Sequence, residues 1–156
     1  MLVLTTKNKL TMTETIKPGK GFKIIAILGL LWNLVGVFFW AAENFMMTEE
    51  VKAAMPPERL ELMESAPSWG VIVYGIATIG GVLACILLLM RKKGAVLLFL
   101  LSLLAIIIQM GYGMFVMKWG DILGPVDAYV MPIIVIIIGI FLYMYSKNNA
   151  QKGVLS

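Results

Sequence analysis

Four apolar stretches, residues 22–46, 69–90, 95–117 and 126–145, occupy most of the chain, and only short polar segments separate them. A run of about 20 apolar residues at roughly 1.5 Å rise per residue spans the ~30 Å hydrocarbon layer of a bilayer. Lipid cannot satisfy backbone N–H and C=O groups, so such runs must be helices or strands of a closed barrel. A barrel strand alternates polar and apolar residues. The run VLLFLLSLLAIII, residues 96–108, does not alternate, so helices are expected. The fold class is therefore all-α: a polytopic membrane protein, an antiparallel four-transmembrane-helix bundle with a short helical outer loop. Its 156 residues read as one domain, with little room for a second outside the membrane. The expected organisation is a tail over 1–21, a transmembrane domain over 22–145 and a tail over 146–156.

Charge sets the expected orientation. Lys7, Lys9, Lys17 and Lys20 precede the first stretch and Lys23 lies at its start, Arg91, Lys92 and Lys93 lie between the second and third, and Lys147 and Lys152 follow the fourth. The other side holds only Lys52, Arg59 and Lys118. Lys and Arg accumulate in cytoplasmic loops. A bacterial inner-membrane protein with both termini in the cytoplasm is expected. Acidic residues divide the opposite way, with Glu14 alone on the basic side. The first stretch is too long for the apolar core of a signal peptide, and Trp40 spoils the one cleavage site that Ala41 and Ala42 suggest, so it reads as an uncleaved anchor. Met12 is an alternative start to Met1.

The connection over 48–68 is the longest one. Thr48 can cap a turn that opens on Glu49 and Glu50, and Pro57 can start a second short helix over 58–64. A solvated cap over the bundle is expected. A docking surface for an extracytoplasmic partner is the other reading.

Each long helix carries one face of small or polar residues. The first has Gly29, Asn33, Gly36, Trp40, Glu43 and Asn44; the second Tyr74, Ala77, Gly81, Ala84 and Cys85; the third Ser102, Ala105, Gln109, Tyr112 and Gly113; the fourth Pro132, Gly139 and Tyr143. In lipid, small residues let helices approach and amides bond across the gap. Asn33 falls near the midplane, Gln109 in the outer third, and Glu43 at the outer interface. Asn33, Trp40, Glu43, Tyr74, Gln109 and Tyr112 are thus the candidate site, either as helix packing or as the lining of a polar pocket. Pro132 reads as a tolerated transmembrane proline or a hinge.

The inventory also excludes. There is no His, and Cys85 is the single cysteine. His-ligated haem, most zinc sites, His proton relays and paired-thiol chemistry are removed. No phosphate-binding glycine fingerprint sits between a strand and a helix. No catalytic residue, metal site or cofactor is expected, and no nucleic acid, because the cations are spread over short segments next to lipid. The expected partners are the lipid bilayer and, within it, a second copy or another membrane protein.

The segments LGLLWNLVGVFFW (28–40), GGVLACILLLMRKKGAVLLFLLSLLAIIIQMGY (80–112) and VMPIIVIIIGIFL (130–142) resemble a group of small bacterial four-helix inner-membrane proteins, some labelled "sugar transporter". The resemblance covers most of residues 28–142 and implies the same fold and membrane. It carries no catalytic or binding residue to any position here. The chain is also similar in helix count to small multidrug-resistance exporters. Where those need a carboxylate deep in the first helix, this chain has Asn33. A non-enzymatic structural or accessory membrane subunit is expected. The alternative is a small solute carrier with a polar pocket between the helices, for which a sugar is one candidate substrate.

Overall fold

A computed structural model describes residues 16–156. The expectations for Met12, Glu14, Lys7 and Lys9 lie outside the described residues. Seven α-helices and one π-helical turn follow in order: α1 (Phe22–Phe45), α2 (Glu49–Ala53), α3 (Pro57–Glu64), α4 (Ser68–Leu89), α5 (Gly94–Phe115), α6 (Trp119–Ile122), the π-turn (Val126–Val130) and α7 (Met131–Gln151). No strand occurs among the described residues. α1, α4, α5 and the continuous π-turn and α7 are each long and apolar enough to cross a membrane. The chain is an all-α, multi-pass membrane protein built on an antiparallel four-helix bundle.

α1 packs on α4, α4 on α5, and α5 on α7. α1 and α7 meet near the termini, where Phe22 faces Tyr145 with ring centroids 6.2 Å apart and Leu142 reaches Gly29. The buried residues are mostly small: Ala26, Ala77, Ala84, Cys85, Ala95 and Ala105. Large apolar side chains such as Leu28, Phe38, Leu97 and Ile137 point outward. That inversion of a soluble core suits lipid. Apolar side chains gain nothing by leaving lipid tails, and small side chains allow close backbone approach. The small faces of α4 and α5 are the buried ones. Gly36 lies so close to α4 that an added Cβ would come within 2.9 Å of Thr78 Cγ2. The Ser102 hydroxyl donates to Ala77 O at 2.5 Å and ties α5 to α4.

The connections follow their local chemistry. Thr48 Oγ1 accepts from Val51 N at 3.3 Å and caps α2, and Pro57 opens α3. Lys52 Nζ donates to Glu49 Oε1 at 2.9 Å, and this carboxylate holds the exposed ammonium above its ordinary pKa. Pro132 lies in the first turn of α7, directly after the π-turn. The widened turn, in which Met131 N bonds Val126 O, directly precedes the proline, so its missing N–H falls near one end of the span and not at mid-membrane.

α7 runs on to Gln151, six residues past the end of the apolar stretch at Tyr145. Polar side chains do not end a helix that has reached the headgroups, and Asn149 Nδ2 donates back to Tyr145 O at 2.8 Å. The helix stops at Gly153, whose φ of +76° closes a Schellman motif through Gly153 N→Ala150 O and Val154 N→Asn149 O. The chain then turns into the bundle end. Val154 and Leu155 are buried beside Leu88, Ala95 and Phe99. Arg91 fastens them: its Nε donates to Val154 O at 3.0 Å, its Nη2 to Ile16 O at 2.8 Å, and its own carbonyl accepts from Ser156 N at 2.7 Å. Arg91 holds φ at +60° to do so.

Candidate functional site

At the end of the bundle opposite the termini lies an open cavity of about 540 Å³. The end of α1, the α2–α3 hairpin, the start of α4, the end of α5 and α6 all contribute to its wall. Four of the six candidate residues line it: Glu43, Tyr74, Gln109 and Tyr112. The other two do not line it.

Asn33 packs against α4. Its Nδ2 donates to Gly29 O at 2.8 Å within α1 and to Cys85 Sγ on α4 at 3.8 Å. Its amide stands directly over Gly81, where a Cβ would overlap Oδ1. It makes no bond to Gln109, because α1 packs on α4 and Gln109 is carried by α5. Trp40 packs against the first turns of α4. Its indole Nε1 donates to Val71 O at 2.9 Å, and its ring lies on Gly75, 3.3 Å from where a Cβ would be. Below it the interface is filled by Ala77, Thr78, Gly81, Ser102 and Ala105. The cavity is therefore one-sided.

Gln109 behaves in the opposite way to Asn33. Its Oε1 is buried and has no hydrogen-bond partner among the described residues. The amide projects toward Gly70 of α4, where even a Cβ would leave 3.8 Å to Oε1. An orphaned buried acceptor costs about 1–3 kcal/mol, so it marks a place where a donor is wanted.

Aromatic rings frame the rest. Trp69 and Tyr112 form an edge-to-face pair with centroids 4.9 Å apart. The Trp119 indole lies against Gly113 so closely that a Cβ there would overlap it. Asn44 Nδ2 donates to Trp40 O at 2.7 Å, which leaves its second N–H as a donor and its Oδ1 as an acceptor. Glu43 makes no ion pair within 4.0 Å among the described residues, although Arg59 of α3 shares the lining. Met47, Met55, Met63 and Met117 supply the pliable apolar surface. Thioether side chains adapt to varied ligand shapes.

Sequence reasoning missed Arg59, the four methionines and the inward use of Trp69 and Trp119. The eight-residue spacing of Met47, Met55 and Met63 was the available signal. No group of three or more His, Cys, Asp or Glu side chains that could hold a metal ion occurs among the described residues. Compared with models of known families, with curated proteins and with solved structures, the chain matches none.

Proposed function

We propose that this is a non-enzymatic accessory or receptor subunit of the bacterial inner membrane, which holds a small organic molecule in a pocket open to one side. The carrying observation is the contrast between the two ends. A cavity of about 540 Å³ lies within the usual size range of ligand sites. The interface toward the other end is filled by small side chains, Ala77, Thr78, Gly81, Ser102 and Ala105. A pocket with a packed floor can bind and present, but it offers no second exit. The basic segments gather at the end that carries the termini, which supports placing that end in the cytoplasm and the pocket on the outer side.

A carrier is the second reading. It is favoured by the pocket volume and by the presence of Tyr74, Gln109 and Tyr112 on its wall. It would require α1 to part from α4 at Asn33 and Gly81. Uptake into proteoliposomes separates the two. Saturable binding without uptake is the expected result. Uptake that Asn33→Leu abolishes without loss of folded protein would establish the carrier and refute the receptor.

A further inference from the structure

We infer that the end of the bundle carrying the termini is a binding face for anionic phospholipid headgroups. Lys17, Lys20 and Lys23 lead into α1, residues 91–93 form the basic turn from α4 to α5, and Lys147 and Lys152 mark the end of α7. Among the described residues no Asp or Glu lies in these segments; the carboxylates fall between residues 43 and 64 and at 121 and 127, toward the other end.

The sequence scatters these charges over three segments, and the fold gathers them. Ile16 N donates to Gly153 O at 3.3 Å, Arg91 Nη2 to Ile16 O at 2.8 Å and Lys93 N to Ser156 O at 3.1 Å. The segment before α1, the α4–α5 turn and the segment after α7 are thus fastened to one another. Backbone groups and Arg91 make these ties, so the lysine side chains stay exposed, and none forms an ion pair within 4.0 Å among the described residues. Arg91 is half-buried, yet its Nε and Nη2 bonds both go to neutral carbonyls, of Val154 and Ile16. Its Nη1 donors are unspent, and guanidinium N–H groups bond phosphate oxygens strongly.

Depth decides the partner. Each basic segment begins or ends a helix long and apolar enough to cross the membrane, so the cations stand at headgroup level. A phosphatidylcholine headgroup brings its own ammonium, which the lysines repel. An anionic headgroup brings only the phosphate.

The test uses the full chain reconstituted in vesicles of equimolar phosphatidylglycerol and phosphatidylcholine, extracted in mild detergent and weighed with its retained lipids by native mass spectrometry. Phosphatidylglycerol should be retained at least about fivefold over phosphatidylcholine, the effect of one basic residue near a headgroup. Lys92→Gln with Lys93→Gln should bring the ratio below about twofold, because both side chains are exposed and only the Lys93 backbone joins the clasp. Lys52→Gln with Lys118→Gln removes as much charge from the other end and should leave the ratio unchanged. Equal retention of the two lipids by the wild type would overturn the inference. So would a wild-type ratio in the Lys92, Lys93 variant, or an equal fall in both variants. Inorganic phosphate in the wash should displace no more lipid than chloride at the same ionic strength; selective loss of phosphatidylglycerol to phosphate would assign the face to the free anion and overturn the lipid reading.

Discussion

Replacing Gly81 with alanine should destabilise the bundle, although alanine is the better helix former. In an open helix the exchange gains about 0.5–1 kcal/mol. At position 81 the new Cβ would overlap Asn33 Oδ1 and come within 2.6 Å of Cγ. The amide must then swing away, and Nδ2 loses Gly29 O at 2.8 Å and Cys85 Sγ at 3.8 Å. Hydrogen bonds between membrane helices contribute about 0.6 kcal/mol each, up to roughly 1.7. Overpacking adds about 1–3 kcal/mol. Net of the propensity gain, Gly81→Ala should cost about 1–3 kcal/mol. Asn33→Ala removes the obstruction, so the double variant should be more stable than the two separate losses imply, with a coupling of about 1–2 kcal/mol. The assay is reversible SDS unfolding of detergent-solubilised protein, followed by circular dichroism. A Gly81→Ala protein more stable than wild type, or one additive with Asn33→Ala, would refute the packing role of Asn33.

Three further outcomes follow from the same geometry. Gln109→Leu removes an unpartnered acceptor and should raise the unfolding free energy by about 1 kcal/mol in the same titration; a loss would mean that the amide binds the helices together. Leu155→Ala should cost about 2–4 kcal/mol, because the side chain is 1% exposed and plugs the end of the bundle; unchanged stability would mean that the terminal clasp is not held in solution. Ser102→Ala should cost about 0.6–1.7 kcal/mol through the lost bond to Ala77 O, read by the same method.

The sequence shows faces more readily than neighbours. Gly29, Asn33 and Gly36 recur at helical spacing, and that face of α1 does turn toward α4. Periodicity cannot say which helix will receive a face; the order α1–α4–α5–α7 sets Asn33 against α4 and leaves Gln109 on α5. Trp40 shows the same ambiguity. Its place near an interface suits a lipid anchor, yet its Nε1 bonds Val71 O because Gly75 leaves room for the ring. Residues 146–156 have the composition of a polar tail. Gly153 followed by Val154 and Leu155 was the readable sign of a helix stop with an apolar return. The pocket was half legible. Polar residues on transmembrane helices point inward by cost, which brought Tyr74, Gln109 and Tyr112 into view. Arg59 and the cap methionines lie on or beside two short helices broken at Pro56 and Pro57, so the even spacing of Met47, Met55 and Met63 does not define one helix face.

The most direct test of a one-sided pocket over a packed floor is cysteine labelling in sealed, oriented vesicles. Single cysteines at positions 68, 112, 33 and 77, each in a Cys85→Ala background, are exposed to a membrane-impermeant thiol reagent from either side. Positions 68 and 112 should label only from the side opposite the termini, and positions 33 and 77 from neither. Labelling of position 33 or 77, or labelling of position 112 from the side of the termini, would contradict the account.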